Sequence, residues 1–297
     1  MSKTTIFTGA GVAIVTPMNP DGSVNYEKYR ELIDWQIENG TDAIITCGTT
    51  GESATMTHDE HEAAIRICVE QVNKRVPVIA GAGSNNTREA IPLTQFAKNV
   101  GADAALHITP YYNKPTQEGL YRHFKAIAEA VDMPLVPYNV PGRTGTNLLP
   151  ATLSRLAHEF PNIVGVKEAT GDMSQCSLIM EQCPKGFSLL SGDDFTALPL
   201  MSIGGSGVIS VYANVMPGMC HEIVADYLGG NQARALANHL KYLQLMNDLF
   251  IEVNPIPVKA AMNLLGLNVG PMRLPLCEMS QAHLETLRKT MEEAGIL

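Results

Sequence analysis

Eight short apolar runs recur along the chain, and their regular spacing constrains the fold more than any other sequence feature. They lie at residues 12–16, 43–47, 76–80, 104–109, 135–140, 163–167, 187–191 and 208–211. Between them the apolar residues have helical spacing, as in Tyr29, Leu32 and Ile33, and Thr57 with Glu60 has the spacing of a helix capping box. Apolar strands that alternate with helices are typical of parallel sheets. The pattern therefore predicts an α/β fold, a (β/α)8 TIM barrel with a C-terminal helical appendage.

A doubly wound open sheet is the alternative arrangement of the same elements. Residues 81–86 begin like a dinucleotide-binding loop but lack its third glycine, and no glycine-rich turn follows the first strand. The glycines of residues 204–207 precede a strand instead of opening a helix, which favours a tight turn over a phosphate site. These patterns favour the closed barrel over a dinucleotide-binding sheet.

The strand signals stop after Gly229 and Gly230. Residues 231–251, 256–265 and 280–294 have helical patterns. The segment Asn-Pro-Ile-Pro at residues 254–257 separates the first two of these helices. We therefore predict two parts, a catalytic barrel over residues 1–230 and a C-terminal helical extension over residues 231–297.

Charge and composition argue against several classes of protein. The chain has 21 Lys and Arg residues against 30 Asp and Glu, a formal charge of −9, so binding to nucleic acid or to an anionic membrane is not expected. No apolar run approaches the length of a membrane span, and residues 9–15 lack the flanks of a signal peptide. With 297 residues, of which 45% are hydrophobic, the chain is expected to fold as an ordinary globular protein.

The cysteine and histidine patterns do not predict a metal site. The six cysteines show no C-x-x-C spacing, which indicates reduced thiols and a cytoplasmic protein. His58 and His61 lie three residues apart without an H-E-x-x-H motif or a plausible third ligand. We predict no metal.

Lys167 is the first candidate for chemistry, because it follows the apolar run that begins at Ile163. Removing an ammonium group from water favours its neutral form and lowers the lysine pKa. A neutral lysine is a nucleophile that forms an imine with a carbonyl substrate. The alternative is a structural lysine whose ammonium reaches solvent or pairs with Glu168.

Polar groups follow three other predicted strands. Thr49 and Thr50 lie between two glycines in a loop whose amides and hydroxyls could hold a carboxylate, and Tyr112 follows the fourth strand. Tyr138 lies near the end of the fifth strand, and Arg143 follows that strand. Each has an ordinary alternative: a turn, a packed aromatic ring, a structural hydrogen bond or an ion pair. A parallel barrel brings the carboxyl ends of its strands to one face, so these side chains are expected to converge there with Lys167.

Three motifs carry a resemblance to a known family. They are GTTGE at residues 48–52, YNVPGRT at 138–144 and VKEA at 166–169. With them, the chain from about Gly9 to Asn214 resembles the pyruvate-dependent class I aldolase and lyase family typified by N-acetylneuraminate lyase and dihydrodipicolinate synthase. The dihydrodipicolinate synthase branch is the more similar, because the sialic acid lyases usually carry serine-threonine at Thr49-Thr50 and lack an arginine matching Arg143.

The resemblance implies roles for particular residues. Lys167 would be the Schiff-base nucleophile for pyruvate and Tyr138 the proton donor and acceptor, with Thr49 and Tyr112 completing the relay. In the family that second tyrosine reaches in from a neighbouring subunit, which implies a homotetramer built as a dimer of dimers. The substrate-binding positions would be Thr50, Arg143, Gly192 and Ile209. No cofactor is implied, since the lysine supplies the electrophile.

The resemblance also implies a reaction and a regulator. The reaction would condense pyruvate with L-aspartate 4-semialdehyde to give 4-hydroxy-tetrahydrodipicolinate, on the diaminopimelate route to lysine. Another pyruvate-dependent aldolase acting on a sialic acid or a 2-keto-3-deoxy sugar acid, and a non-catalytic sensor of a small acid, are the alternatives. Inhibition by L-lysine is expected from residues that match the lysine-binding positions of feedback-inhibited members: Ser53, Ala54, His58, His61, Asn85, Glu89 and Tyr111.

Overall fold

A closed parallel barrel of eight strands forms the centre of the fold. The structure, a computed structural model, describes residues 3–297. The strands follow one another around the barrel in chain order. Their bounds are β1 Gly9–Ala13, β2 Ala43–Thr46, β3 Val78–Gly81, β4 Ala104–Ile108, β5 Leu135–Asn139, β6 Gly165–Glu168, β7 Ser188–Ser191 and β8 Gly207–Ser210. The predicted (β/α)8 barrel is confirmed.

Helices connect the strands, and further helices follow the last strand. They are α1 Tyr26–Glu38, α2 His58–Val72, α3 Thr87–Val100, α4 Gln117–Ala130, α5 Pro141–Thr144, α6 Pro150–Glu159, α7 Met173–Gln182, α8 Ala197–Ser202, α9 Pro217–Leu228, α10 Gln232–Asp248, α11 Ile256–Leu264 and α12 Gln281–Glu293. The predicted capping box is present at the start of α2. The Glu60 amide donates to Thr57 Oγ1 at 3.2 Å, and the Thr57 amide donates to Glu60 Oε2 at 3.0 Å.

Strand β1 lies earlier than the sequence pattern indicates. It spans Gly9–Ala13, whereas the prediction placed it at residues 12–16. Its first residues are small and carry little β-strand signal, but the Ala10 amide donates to Asp42 Oδ2 at 2.7 Å and fixes the start of the strand. The bulky residues Ile14 and Val15 are buried beyond the strand end. The apolar pattern therefore identified the buried segment correctly, but it did not identify the residues that form the hydrogen bonds of strand β1.

The first compact unit comprises Pro77–Ile209 with residues 3–8. Its neighbouring strands pair in parallel, with Ala80 opposite Ala105 between β3 and β4. Between β5 and β6, Tyr138 lies opposite Lys167 and Asn139 lies opposite Glu168. This register decides which side chains meet at the carboxyl ends of the two strands.

The second compact unit comprises Gly9–Val76 and Ser210–Leu297. Here β1 and β2 pair in parallel, with Val12 opposite Ile44. The three helical segments expected after residue 230 are present, and helices α10, α11 and α12 span nearly the same residues as predicted. The two compact units are not divided at that residue. The separation into residues 1–230 and 231–297, which rests on where strand signals stop, stays a prediction.

The cysteines of the described chain are mostly buried and form no disulfide with one another. Burial raises the pKa of Cys176 and of Cys183 to about 12, so both thiols stay protonated and unreactive near neutral pH. Within residues 3–297, no three His, Cys, Asp or Glu side chains come together as a possible metal site. In the same residues, none of the helices has both the length and the apolar character needed to cross a membrane.

Candidate active site

Lys167 and Tyr138 meet at the carboxyl ends of β6 and β5. Each is the penultimate residue of its strand, and the two are paired in the register. Their exposed fractions are only 6% and 7%. The Lys167 ammonium nitrogen lies 4.3 Å from the centre of the Tyr138 ring. The fold thus brings together the amine and the phenol that the sequence singled out.

The environment of Lys167 shifts its amine towards the neutral form. Burial lowers its pKa from 10.5 to about 8, the negative charges of Asp193 and Asp194 act against this, and the positive charge of Arg143 acts with it. With that pKa, roughly one amine in ten is neutral at pH 7. Among residues 3–297, the structure gives the Lys167 amine a cation–π contact with Tyr138 and no hydrogen bond. The amine is buried, weakly basic and available for attack on a carbonyl carbon.

Glu168 does not pair with Lys167, although it follows it in the chain. Its carboxylate accepts hydrogen bonds from Asn139 Nδ2 at 3.0 Å, from Gln175 Nε2 at 3.3 Å and from the Thr170 amide at 2.9 Å. Successive strand residues point to opposite faces, so this network lies on the other side of β6 from the lysine amine. The structural alternative of a Lys167–Glu168 ion pair is therefore absent from the described chain.

Gly192 leaves space for the Lys167 side chain. A Cβ atom placed on Gly192 would lie 3.1 Å from Lys167 Cε and 2.6 Å from the Ala169 Cβ, closer than packed carbon atoms tolerate. The sequence therefore needs glycine at this point for steric reasons. This agrees with a position that lines the space around the lysine.

Asp193 and Asp194 are site residues that the sequence reasoning missed. Asp194 is buried, and burial raises the pKa of Asp193 to about 6 while the charge of Lys167 acts to lower it. Asp193 and Asp194 come shortly after the end of β7, and Tyr138 and Lys167 lie at the ends of β5 and β6. Position after a strand was therefore the signal that could have found them.

Arg143 and Ile209 occupy different environments in the same unit. Arg143 is exposed on the short helix α5, where its amide donates to the Val140 carbonyl oxygen at 2.9 Å. Its charge nevertheless acts on the amine of Lys167. Ile209 is fully buried in β8. Arg143 thus lies at the surface of this unit, whereas Ile209 belongs to its core.

Thr49 and Thr50 lie in a tight loop after β2, in the second unit. The Gly51 amide donates to the Gly48 carbonyl oxygen, and the Glu52 amide donates to the Thr49 carbonyl oxygen, both at 3.1 Å. Thr50 is buried, with 3% of its surface exposed, whereas Thr49 is half-buried. We call residues 48–52 the hydroxyl loop.

Asn254 is a second residue that the sequence reasoning missed. Its Nδ2 donates to Thr50 Oγ1 at 3.0 Å, across 204 positions of sequence. In the sequence it appears only as part of the Asn-Pro-Ile-Pro interruption between two helices. No local pattern connects that segment with the hydroxyl loop.

Tyr112 does not pack with Lys167 and Tyr138 within the described part of this one chain. It is 90% exposed, and its backbone has a φ of 68°, which is uncommon for a residue with a bulky side chain. Tyr111 beside it is 38% exposed. The loop after β4 therefore presents Tyr112 outward, away from the interior of its own unit.

The residues expected to bind an effector form two groups. In the first unit, Asn85 Nδ2 donates to the Tyr111 carbonyl oxygen at 3.2 Å. Burial raises the pKa of Tyr111, and the charge of Glu89 adds to this effect. In the second unit, the other four residues lie together in the chain, on the 3-10 turn Ser53–Thr55 and in the first turns of α2: Ser53, Ala54, His58 and His61.

Comparisons with known proteins agree over the whole chain. The model of the dihydrodipicolinate synthetase family matches residues 6–294. The 4-hydroxy-tetrahydrodipicolinate synthase of Nitratidesulfovibrio vulgaris (strain DP4) is 58% identical over 291 residues, which cover 98% of this chain and 99% of the relative.

Two solved structures are informative for ligands. A chloride-inhibited dihydrodipicolinate synthase from Acinetobacter baumannii complexed with pyruvate has a TM-score of 0.96 at 49% identity, covering 99% of this chain and 100% of that one. The enzyme from Cyanidioschyzon merolae with lysine bound has a TM-score of 0.96 at 43% identity, with the same coverage of both chains.

Proposed function

The chain belongs to the dihydrodipicolinate synthetase family, and from this premise we propose that it condenses pyruvate with L-aspartate 4-semialdehyde through an imine on Lys167. The product is 4-hydroxy-tetrahydrodipicolinate, on the diaminopimelate route to lysine. The observation that carries the proposal is the buried Lys167 amine opposite Tyr138, with its pKa lowered to about 8.

In the first half of the reaction, the neutral Lys167 amine attacks the ketone carbon of pyruvate. Tyr138 donates its phenolic proton to the hydroxyl group of the resulting carbinolamine, water leaves, and a protonated imine forms. This imine withdraws electrons from the pyruvate methyl carbon. The Tyr138 phenolate then takes the proton that leaves this carbon, and an enamine forms. The 4.3 Å between the lysine nitrogen and the tyrosine ring supports this division of roles.

In the second half, the enamine carbon attacks the aldehyde carbon of L-aspartate 4-semialdehyde. The resulting alkoxide takes up a proton, and the amine of the same substrate then attacks the imine carbon. This attack displaces Lys167 and closes the ring. We assign Arg143 to the carboxylate of the semialdehyde, because a guanidinium group can hold a carboxylate with two parallel hydrogen bonds.

The remaining roles rest on the resemblance of the motifs. Thr50, the backbone of Ile209 and Gly192 are assigned to pyruvate binding, and Thr49 with Tyr112 to the proton relay. The 90% exposure of Tyr112 supports a relay that borrows this side chain from a neighbouring subunit. We therefore propose a homotetramer, and a cytoplasmic location in view of the cysteine pattern.

L-Lysine is proposed as a feedback inhibitor. The related enzyme from Cyanidioschyzon merolae has been solved with lysine bound. The seven candidate residues include Tyr111, which adjoins the relay tyrosine Tyr112 in the chain. Activity is titrated against L-lysine, and full activity at millimolar concentrations removes this part of the proposal.

Borohydride trapping tests the catalytic proposal directly. Incubation with pyruvate and reduction should add the mass of the reduced pyruvate adduct to the peptide that contains Lys167. A label on another lysine, or no label, contradicts the mechanism and allows a non-catalytic sensor.

Arg143→Ala then distinguishes the partner aldehydes. This variant should lose use of aspartate semialdehyde much more than it loses imine formation with pyruvate. Equal losses in both steps would contradict the role of Arg143 and favour another pyruvate-dependent aldolase.

A further inference from the structure

A second buried lysine, Lys259 on α11, holds the carboxylate that ends the hydroxyl loop. Its exposed fraction is 0%, and its Nζ donates to Glu52 Oε1 at 2.7 Å, to the Pro271 carbonyl oxygen at 2.6 Å and to the Thr16 carbonyl oxygen at 3.2 Å. An ammonium group has three N–H donors, so all of them are satisfied. This lysine is a fixed charge.

Glu52 is held just as firmly. Its side chain is fully buried, Oε1 accepts from Lys259, and Oε2 accepts from the Arg273 amide at 3.0 Å. Its backbone has a φ of 55°, a left-handed conformation that glycine adopts more easily. The backbone conformation at this position favours glycine, so a glutamate here acts through its side chain.

The same C-terminal segment holds the hydroxyl loop at two points. Lys259 binds the side chain of Glu52, whose amide donates to the Thr49 carbonyl oxygen at 3.1 Å. Asn254 binds the hydroxyl of Thr50 at 3.0 Å. The orientation of Thr50 and the backbone of Thr49 therefore depend on residues more than 200 positions away in sequence.

Stability alone does not account for the buried pair. Moving two charges out of water costs so much that apolar replacements of similar volume are often neutral or stabilising. A charged pair with fixed directions does, however, fix the position of the loop that carries it. We propose that Lys259 and Glu52 are positioning residues for the hydroxyl loop, so that turnover depends on the C-terminal helix α11. The inference rests on the proposed function of Thr49 and Thr50.

The test compares Lys259→Met with the double variant Lys259→Met/Glu52→Gln. The single variant leaves the Glu52 carboxylate buried without its ammonium partner and should lower the thermal midpoint of unfolding. The double variant removes both charges and should recover most of that midpoint. Its kcat should nevertheless stay at least tenfold below that of the unaltered protein, and its KM for pyruvate should rise, because the side chain of Glu52 no longer fixes the hydroxyl loop that carries Thr49 and Thr50.

Glu60→Gln is the matched control. Glu60 accepts from Arg273 Nη1 at 2.7 Å, so this variant also breaks an ion pair to the C-terminal segment but leaves Glu52 in place. Its kcat and KM should match those of the unaltered protein. Loss of activity equal to that of the double variant would assign the effect to general loosening of the segment and overturn the proposal.

A double variant with unaltered kcat and KM also overturns the inference. If the double variant does not fold, Glu52→Asp gives a second test, since it keeps the charge but shortens the side chain by one methylene group. A folded Glu52→Asp protein should show the raised KM for pyruvate, and an unchanged KM rejects the positioning role.

Borohydride trapping on the unaltered protein distinguishes a failure of the proposed function from a failure of this inference. Absence of a Lys167 label there contradicts the proposed function itself, whereas a label with unaffected variants contradicts only this inference.

Discussion

Lys167 and Lys259 are both buried, yet their surroundings suit them to opposite tasks. Lys259, with 0% exposure, donates to one carboxylate and two carbonyl oxygens, whereas the amine of Lys167, with 6% exposure, has no hydrogen bond among residues 3–297. Burial lowers the pKa of both amines, but at Lys259 the adjacent Glu52 carboxylate opposes it through charge and a hydrogen bond. The difference indicates that a buried lysine is reactive only where no hydrogen-bond acceptor binds its amine.

The largest expected contrast is in the reaction with pyruvate. Lys167→Met should abolish borohydride trapping and lower turnover by about a thousandfold or more, since it removes the covalent nucleophile. Lys259→Met should still give a labelled Lys167 peptide. Mass spectrometry of the digested proteins measures both results. A label on Lys259 in the unaltered protein would contradict this contrast, because it would show that an amine with all of its N–H groups hydrogen-bonded also reacts.

Stability should respond in the opposite order. Lys259→Met leaves the buried Glu52 carboxylate without its partner, and the free energy of unfolding should fall by about 3–5 kcal/mol. Lys167→Met replaces a buried amine that lacks hydrogen-bond partners with an apolar side chain, so the free energy of unfolding should stay the same or rise. Urea denaturation measures both values. Equal losses of unfolding free energy in the two variants would contradict the contrast, because they would mean that both amines stabilise the fold to the same extent.

The contrast between these lysines also shows what the sequence could reveal. Lys167 could be found because it interrupts an eightfold alternation of apolar strands and helices at the end of a strand. Lys259 lies inside a helix, and its partner Glu52 is 207 positions away. No periodicity connects two such segments. Long-range side-chain pairs of this kind are decided by packing, which local patterns do not contain.

The same limit explains the other differences between sequence and structure. The capping box of Thr57 and Glu60 was predictable because both partners lie within one helical turn. The start of β1 was not, since Ala10 is fixed by Asp42 from a distant loop. Asp193 carried a positional signal after β7, but only the fold places its charge where it acts on Lys167.

The pH dependence of imine formation tests the electrostatic side of the comparison. The pKa of Lys167 is lowered to about 8, so its neutral fraction rises as the pH rises through 8. The initial rate of trapping with pyruvate should increase with pH and show an inflection near pH 8. An inflection above pH 10, as for an exposed lysine, would contradict the buried environment.

Two variants should move this inflection in opposite directions. Asp193→Asn removes a negative charge that raises the pKa of Lys167, so the inflection should move below pH 8. Arg143→Ala removes a positive charge that lowers it, so the inflection should move above pH 8. A shift of one pKa unit changes the neutral fraction about tenfold below the inflection. Shifts of the same sign would mean that the variants act through altered structure and not through charge.

The smallest expected effect concerns Glu168, which holds β5 and β6 together beside Lys167. Glu168→Gln keeps the shape of the side chain but leaves one of its donors, Asn139 or Gln175, facing an amide nitrogen. The lost hydrogen bond acts on the alignment of the strands and not on the reacting groups, so kcat should fall less than about tenfold.

The inflection near pH 8 should not move in Glu168→Gln, because the charges that act on the Lys167 pKa come from Asp193, Asp194 and Arg143 and not from Glu168. Glu181→Gln, on the exposed end of α7, is the control for loss of a glutamate charge and should leave both kcat and the inflection unchanged. If Glu168→Gln moved the inflection as far as Asp193→Asn does, the network on the outer face would be setting the basicity of the amine. Its role would then extend beyond alignment of Lys167 with Tyr138.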